Sequence, residues 1–122
     1  MAVRRAVRCG ADMDAYMKVA WRDPVTGLEW SLTAEHLMPW LRARQWCNAH
    51  MDGWRMPTIY ELWALWKVPG PSMPDAASGP YWSATDNEFN SDFAWCVNFD
   101  SGFVSYIFKD YSNYVRAVRG GC

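Results

Sequence analysis

The sequence predicts an α+β domain in which two helices pack on a twisted antiparallel sheet. Three observations predict it. First, the apolar residue types sort along the chain: eight of the nine Trp lie at or before Trp82, all six Leu at or before Leu65 and all seven Met at or before Met73, whereas all five Phe lie at or after Phe89. Second, helix signals are confined to the part before Val68. Third, after Pro80 the pattern changes to short alternating runs separated by turn residues. Between the two halves, Val68–Pro80 is rich in Pro, Gly and Ser and reads as a loop.

The elements follow in order. Val19-Ala20-Trp21 and Gly27-Leu28-Glu29-Trp30 flank Asp23-Pro24-Val25-Thr26-Gly27, a turn signal, so this stretch reads as a hairpin. Pro39 suits the first turn of a helix running to about Ala49, with Trp40, Ala43 or Arg44, and Cys47 on one face. Thr58-Ile59-Tyr60-Glu61 is a capping box that opens a second helix, whose apolar stripe reads as Ile59, Leu62, Trp63 and Trp66. Strands are expected at Tyr81–Thr85, Ala94–Phe99, Phe103–Phe108 and Tyr114–Gly120, as one meander. Asp100-Ser101-Gly102 makes the tight turn between the second and third, and Lys109–Asn113 turns the chain again.

Composition bounds the function. The 122 residues fit a single domain, 1–122, and 51% hydrophobic against 20% charged residues excludes a disordered tail. A net charge of −1 without a large basic cluster speaks against nucleic-acid binding. No apolar run reaches the ~18 residues of a membrane span, so no membrane insertion is expected. Arg4, Arg5 and Arg8 are followed by no apolar core, which does not read as a signal peptide. His36 and His50 stand at no metal-ligand spacing, and no phosphate loop or nucleophile elbow occurs. No metal, no cofactor and no enzyme activity are therefore expected. Cys9, Cys47, Cys96 and Cys122 form no CxxC pair; Cys47 reads as a buried hydrophobe, and a Cys9–Cys122 bridge is left open.

The order of motifs is Thr26-Gly27-Leu28-Glu29-Trp30, Trp46-Cys47-Asn48, Gly53-Trp54-Arg55-Met56-Pro57-Thr58 with Glu61-Leu62, Tyr81-Trp82-Ser83-Ala84-Thr85, Ala94-Trp95 with Val97-Asn98-Phe99, and Tyr114-Val115-Arg116-Ala117-Val118-Arg119-Gly120-Gly121. Over roughly residues 15–121 this series resembles the C-type-lectin-like domain at the C-terminus of Legionella collagen-like adhesins. The resemblance implies a C-type-lectin-like fold and ligand binding of an adhesin type. Many relatives carry a cysteine where this chain has Ala117, so a disulfide from Cys47 to that position is not available here.

The C-terminal segment also resembles the variable region of proteins diversified by a diversity-generating retroelement. There, Asn codons of a template become NNY codons, which never specify Met, Trp, Lys, Gln or Glu. Those five types fill 21 of the 82 positions from Met1 to Trp82 but 3 of the 37 from Ser83 to Arg119, namely Glu88, Trp95 and Lys109. Strand and turn composition produces part of that depletion, but excludes Trp and Met less strongly. The resemblance implies variable, ligand-binding positions at Asp100, Ser101, Phe103, Ser105, Tyr106, Ile107, Phe108, Asp110 and Tyr111, with Asn87, Phe89, Asn90, Asp92, Phe93 and Cys96 as weaker candidates upstream. Val97, Asn98, Gly102, Val104 and Lys109 would be fixed. On this reading the scaffold spans about 1–82, the variable segment about 86–111 and the closing strand 114–120.

Strand alternation then divides the segment. Trp95, Val97 and Phe99 oppose Ala94, Cys96 and Asn98, while Phe103, Ser105 and Ile107 oppose Val104, Tyr106 and Phe108. One face of the meander should pack on the Trp-rich half and the other should offer aromatic and small polar side chains to a ligand, as antibody paratopes do. Phe99, Tyr114, Trp54, Trp82 and Trp95 are expected in the scaffold, with Arg116 and Arg119 fixing loops. Phe103, Tyr106, Phe108 and Tyr111 are expected at the surface. The partner would be a protein or other cell-surface ligand, met by display on a virus particle or cell surface, with multimeric display favouring avidity. The alternative is an undiversified adhesin domain that binds sulfated or acidic polysaccharide; it is disfavoured because only Lys109, Arg116 and Arg119 stand against five acids after Trp82. A relative of the formylglycine-generating oxidases is a further rival, but Cys96 has no cysteine partner nearby in sequence.

Overall fold

A computed structural model describes residues 19–68 and 78–120. Cys9, Cys122 and most of the expected Val68–Pro80 loop lie outside the described residues. The elements are β1 (Trp21–Arg22), β2 (Glu29–Trp30), α1 (Trp40–Ala49), α2 (Ile59–Trp66), β3 (Pro80–Asp86), β4 (Phe93–Asn98), β5 (Val104–Phe108) and β6 (Val118–Arg119).

The hairpin turn is built by its polar residues. Asp23 accepts main-chain N–H bonds from Val25 and Thr26, and Gly27 takes the positive φ of +76° that closes the turn. Trp21 then pairs with Trp30 and Arg22 with Glu29. At α1, Pro39 is the N-cap, and Ala43 rather than Arg44 shares the buried face with Trp40 and Cys47. At α2 the capping box is complete: Thr58 accepts from the Glu61 N–H, and the Glu61 carboxylate accepts from the Thr58 N–H.

The expected single meander is two sheets. β3, β4 and β5 form an antiparallel sheet in that order, and β1, β2 and β6 form a second. The expected closing strand Tyr114–Gly120 crosses from one sheet to the other. Asn113 bridges to Met38 and Tyr114 to Tyr81, whereas Val118–Arg119 pairs with Glu29–Trp30. Main-chain bonds from Ser31 to the Ala117 carbonyl and from Ala34 to the Val115 carbonyl stitch the crossing down. Residues 115–119 are all buried, which is why a run of Val, Ala and Arg without alternation stands there.

The core lies on both sides of the central sheet. On one side, Trp40, Ala43 and Cys47 of α1 pack with Trp54, Met56, Trp82, Ala94, Cys96, Val115 and Ala117. On the other, Ile59, Leu62 and Leu65 of α2 pack with Trp30, Tyr81, Val97 and Val118. The expectation that only one face of the meander is covered is therefore corrected. β4 is the middle strand, and α2 covers the far half of its second face, so Val97 and Cys96 are both fully buried.

The stripe expected on α2 is also corrected. Ile59, Leu62 and Leu65 are the buried residues, while Trp63 and Trp66 are exposed. An eight-residue helix reading Ile-Tyr-Glu-Leu-Trp-Ala-Leu-Trp is apolar around most of its circumference. Three buried side chains one turn apart fill the groove on the sheet, and the two Trp are left on the outer flank.

Candidate ligand-binding face

The outer face of β4–β5 carries an aromatic cluster. The register sets Phe93 beside Phe108, Trp95 beside Tyr106 and Val97 beside Val104. α2 covers the Val97 end of this face, and the other end is left as a shelf. Phe93 meets Tyr106 and Phe108 edge-on, with ring centroids 5.5 and 5.6 Å apart. Trp95 meets Tyr106 edge-on at 5.1 Å, and Tyr111 closes on Phe108 at 6.1 Å. Edge-to-face contacts of this kind hold the rings in place without burying them. Tyr106 remains 52% exposed and Tyr111 63%.

Between this shelf and α2 lies a groove of about 450 Å³, lined by Tyr60, Trp63, Thr85, Glu88, Trp95 and Val104. The Lys67 ammonium sits 4.1 Å from the Trp63 ring centroid, so the outer face of that ring already receives a cation from its own chain. Tyr60, Trp63 and Trp66 are the residues that sequence reasoning missed as surface. Their signal was the surplus of apolar residues on α2, more than one buried stripe uses.

The turns at the two ends of the shelf are built by side chains. At one end Asn98 accepts from the Asp100 N–H, Ser101 accepts from the Phe103 N–H, and Gly102 holds φ +79°. A Cβ at Gly102 would lie 2.4 Å from the Trp66 ring, so glycine is also what lets that ring lie against the turn. At the other end Asn87 accepts from Phe89 and Asn90, and Asn90 accepts from Asp92. Lys109 ties this end to the body: its ammonium lies 2.8 Å from Asp86 and 4.0 Å from the Trp40 ring centroid.

The fifteen sequence-derived site residues therefore separate into groups. Phe93, Tyr106, Phe108 and Tyr111 form the shelf, and Asp100, Ser101, Phe103, Phe89, Asn90, Asp92 and Asp110 stand exposed on the end turns or flank them. Ser105 and Ile107 point the other way, and Ile107 packs against the α1-side core. Asn87 is buried, and its amide oxygen is spent on the turn. Cys96 is fully buried in the α1-side core, opposite in sense to the surface position expected, because β4 is central and its even-numbered residues face α1. Burial pushes its thiol up to about 12, as it does the Cys47 thiol. Neither offers a thiolate near neutral pH.

In the second sheet, a buried ion pair joins β2 to β6. Glu29 is fully buried and accepts from Arg119 at 2.9 Å and from Arg22. Arg119 also reaches the Asp52 carbonyl and stacks over Trp54, 4.5 Å from the ring centroid. Arg116 donates to the Thr33 hydroxyl at 2.7 Å. On the α2 cap, burial raises the Glu61 carboxyl, but hydrogen bonds from Arg55 and Thr58 outweigh it and hold Glu61 below the usual range.

Two helices on two three-stranded antiparallel sheets are consistent with a C-type-lectin-like fold, and the family match that follows adds an adhesin-like binding class. Residues 20–119 match the family model of the Lcl C-terminal domain. The chain belongs to that family, in agreement with the motif series of the sequence. No curated protein matches it. Among the described residues, no helix is long and apolar enough to cross a membrane.

Proposed function

We propose that this domain binds a protein or other cell-surface ligand on the β4–β5 aromatic shelf and the adjoining groove, and that a diversity-generating retroelement varies the side chains presented there. The observation that carries the reading is the division of labour along residues 97–111. The positions read as fixed include Val97 in the core, Asn98 and Gly102 in the turn, and Lys109 pinned between Asp86 and Trp40. Between them, seven of the nine positions read as variable, Asp100, Ser101, Phe103, Tyr106, Phe108, Asp110 and Tyr111, are exposed, whereas Ser105 and Ile107 face the α1 side and Val104, read as fixed, is exposed at the groove. A surface of this kind tolerates exchange of side chains while the scaffold keeps folding. The two buried, protonated thiols speak against thiolate chemistry at Cys47 and Cys96.

Anionic polysaccharide fits this face poorly. Of the three cations after Trp82, Lys109 is engaged by Asp86, and Arg116 and Arg119 are buried. The protein should pass through a heparin column unretained at about physiological salt. Sequencing the flanking DNA tests the diversification. An adenine-rich near-repeat of the 3′ coding segment beside a reverse-transcriptase gene is expected, and its absence removes the mechanism.

A further inference from the structure

The central sheet has two edges, and they are treated differently. The outer edge of β3 is closed: Trp82 donates to the Tyr114 carbonyl, Tyr114 to the Pro80 carbonyl and Ala84 to the Pro57 carbonyl. β5 is the other edge. Its ladder to β4 is framed by main-chain bonds from Asn98 to the Phe103 carbonyl and from Lys109 to the Asp92 carbonyl. Antiparallel alternation then turns the main-chain groups of Ser105 and Ile107 toward β4, and those of Val104, Tyr106 and Phe108 outward. Apart from the Phe108 carbonyl, which accepts from Tyr111, no main-chain bond among the described residues engages these outward groups. The edge thus presents an N–H and a C=O at Val104, the same at Tyr106, and an N–H at Phe108. This spacing repeats every two residues, the period of an extended polypeptide.

We propose that β5 takes up an extended segment of a polypeptide ligand as an added strand, its main chain on this edge and its alternate side chains on the aromatic shelf. The proposal rests on the reading of the shelf as the binding face and names the ligand class. Charge specifies the segment further. Asp100 and Asp110 lie beyond the two ends of β5, and no ion pair among the described residues neutralises either, so the segment carries Lys or Arg. A second copy of this chain is disfavoured on the same ground. Antiparallel β5–β5 pairing centred on Tyr106 would bring the Asp110 end of one copy against the Asp100 turn of the other, and like charges there oppose it.

The test uses a phage-displayed library of random twelve-residue peptides selected on the full chain, with the recovered peptides synthesised and titrated. Recovered peptides rich in Lys or Arg are expected; recovery of none, or of peptides without cations, overturns the proposal. Val104→Pro removes one outward N–H and leaves the β4 ladder intact, so it should weaken binding at least tenfold without a large change in Tm. N-methylation of alternate amides in the peptide asks the same question without altering the protein: one alternate set should lose at least tenfold and the other little. Equal effects from both sets overturn strand addition. If Tyr106→Ala abolishes binding while Val104→Pro and N-methylation do not, the shelf remains the binding face and strand addition falls. If none of the three changes binding, both readings fall.

Discussion

Gly102 is where scaffold and binding face meet, and Gly102→Ala tests how. Its φ of +79° is unfavourable for an L side chain by about 1–2 kcal/mol. Alanine recovers about 0.4–1 kcal/mol by restricting the unfolded chain. The larger cost is steric: the new Cβ would lie 2.4 Å from the Trp66 ring. The ring must move by about 1 Å to reach ordinary contact, an overpacking of about 1–3 kcal/mol. Net destabilisation should be about 2–4 kcal/mol, a fall in Tm on the order of 10 °C for a domain of this size. Urea unfolding of the wild type, Gly102→Ala, Trp66→Ala and the double variant separates the contributions. With Trp66 truncated, Gly102→Ala should cost only the backbone part, about 1 kcal/mol, leaving a coupling of about 1–3 kcal/mol. An equal cost in both backgrounds would refute the steric account, and no cost in either would refute the backbone account as well.

Other outcomes follow from the buried polar groups. Arg119→Ala leaves the Glu29 carboxylate, fully buried, with only its partner Arg22, and should destabilise by about 3–5 kcal/mol in urea titration. Glu61 is held below its unfolded pKa by Arg55 and Thr58, so the stability it contributes is present above about pH 4.3 and lost as pH falls through the folded value. Glu61→Gln should therefore lower the urea midpoint at pH 7 and flatten its decline between about pH 5 and 2; an unchanged acid limb would contradict this. Cys47 and Cys96, with thiols pushed up to about 12, should resist iodoacetamide at pH 8 in the folded protein and react in urea, as read by peptide mass. The same shifts make stability fall as pH rises above the unfolded thiol value of about 8.5, because there the unfolded chain sheds protons that the folded one keeps.

Local chemistry was legible from the chain. The Asp23–Gly27 turn, the capping box at Thr58–Glu61, the Trp40 and Cys47 positions of the α1 face, and the turn at Asp100–Gly102 all depend on neighbours within a few residues, while the choice of Ala43 over Arg44 on that face came from the packing. The exposure expected for Tyr106 and Phe108 follows from period-two alternation on an edge strand, Phe103 and Tyr111 lie outside that strand beside its end turns, and the structure has all four exposed. Cys96 was misplaced because alternation gives two faces but not what covers them. Trp63 and Trp66 were misplaced because an apolar helix offers several stripes, and only the sheet beneath selects Ile59, Leu62 and Leu65.

By itself, then, the sequence determined the class of fold, the family and the split between a Trp-rich body and a Phe- and Tyr-bearing C-terminal segment. These are written in periodicity, caps and motif order, all short-range properties of the chain. Only the tertiary structure decided which side of each strand is free. Burial is set by contacts between residues far apart in sequence: Arg119 with Glu29, Tyr114 with Tyr81, Trp66 with Gly102. The β3–β4–β5 pairing puts β4 in the middle of its sheet and β5 at the edge, and the packing of α1 and α2 on the two sides makes Cys96 core while Tyr106 stays at the surface.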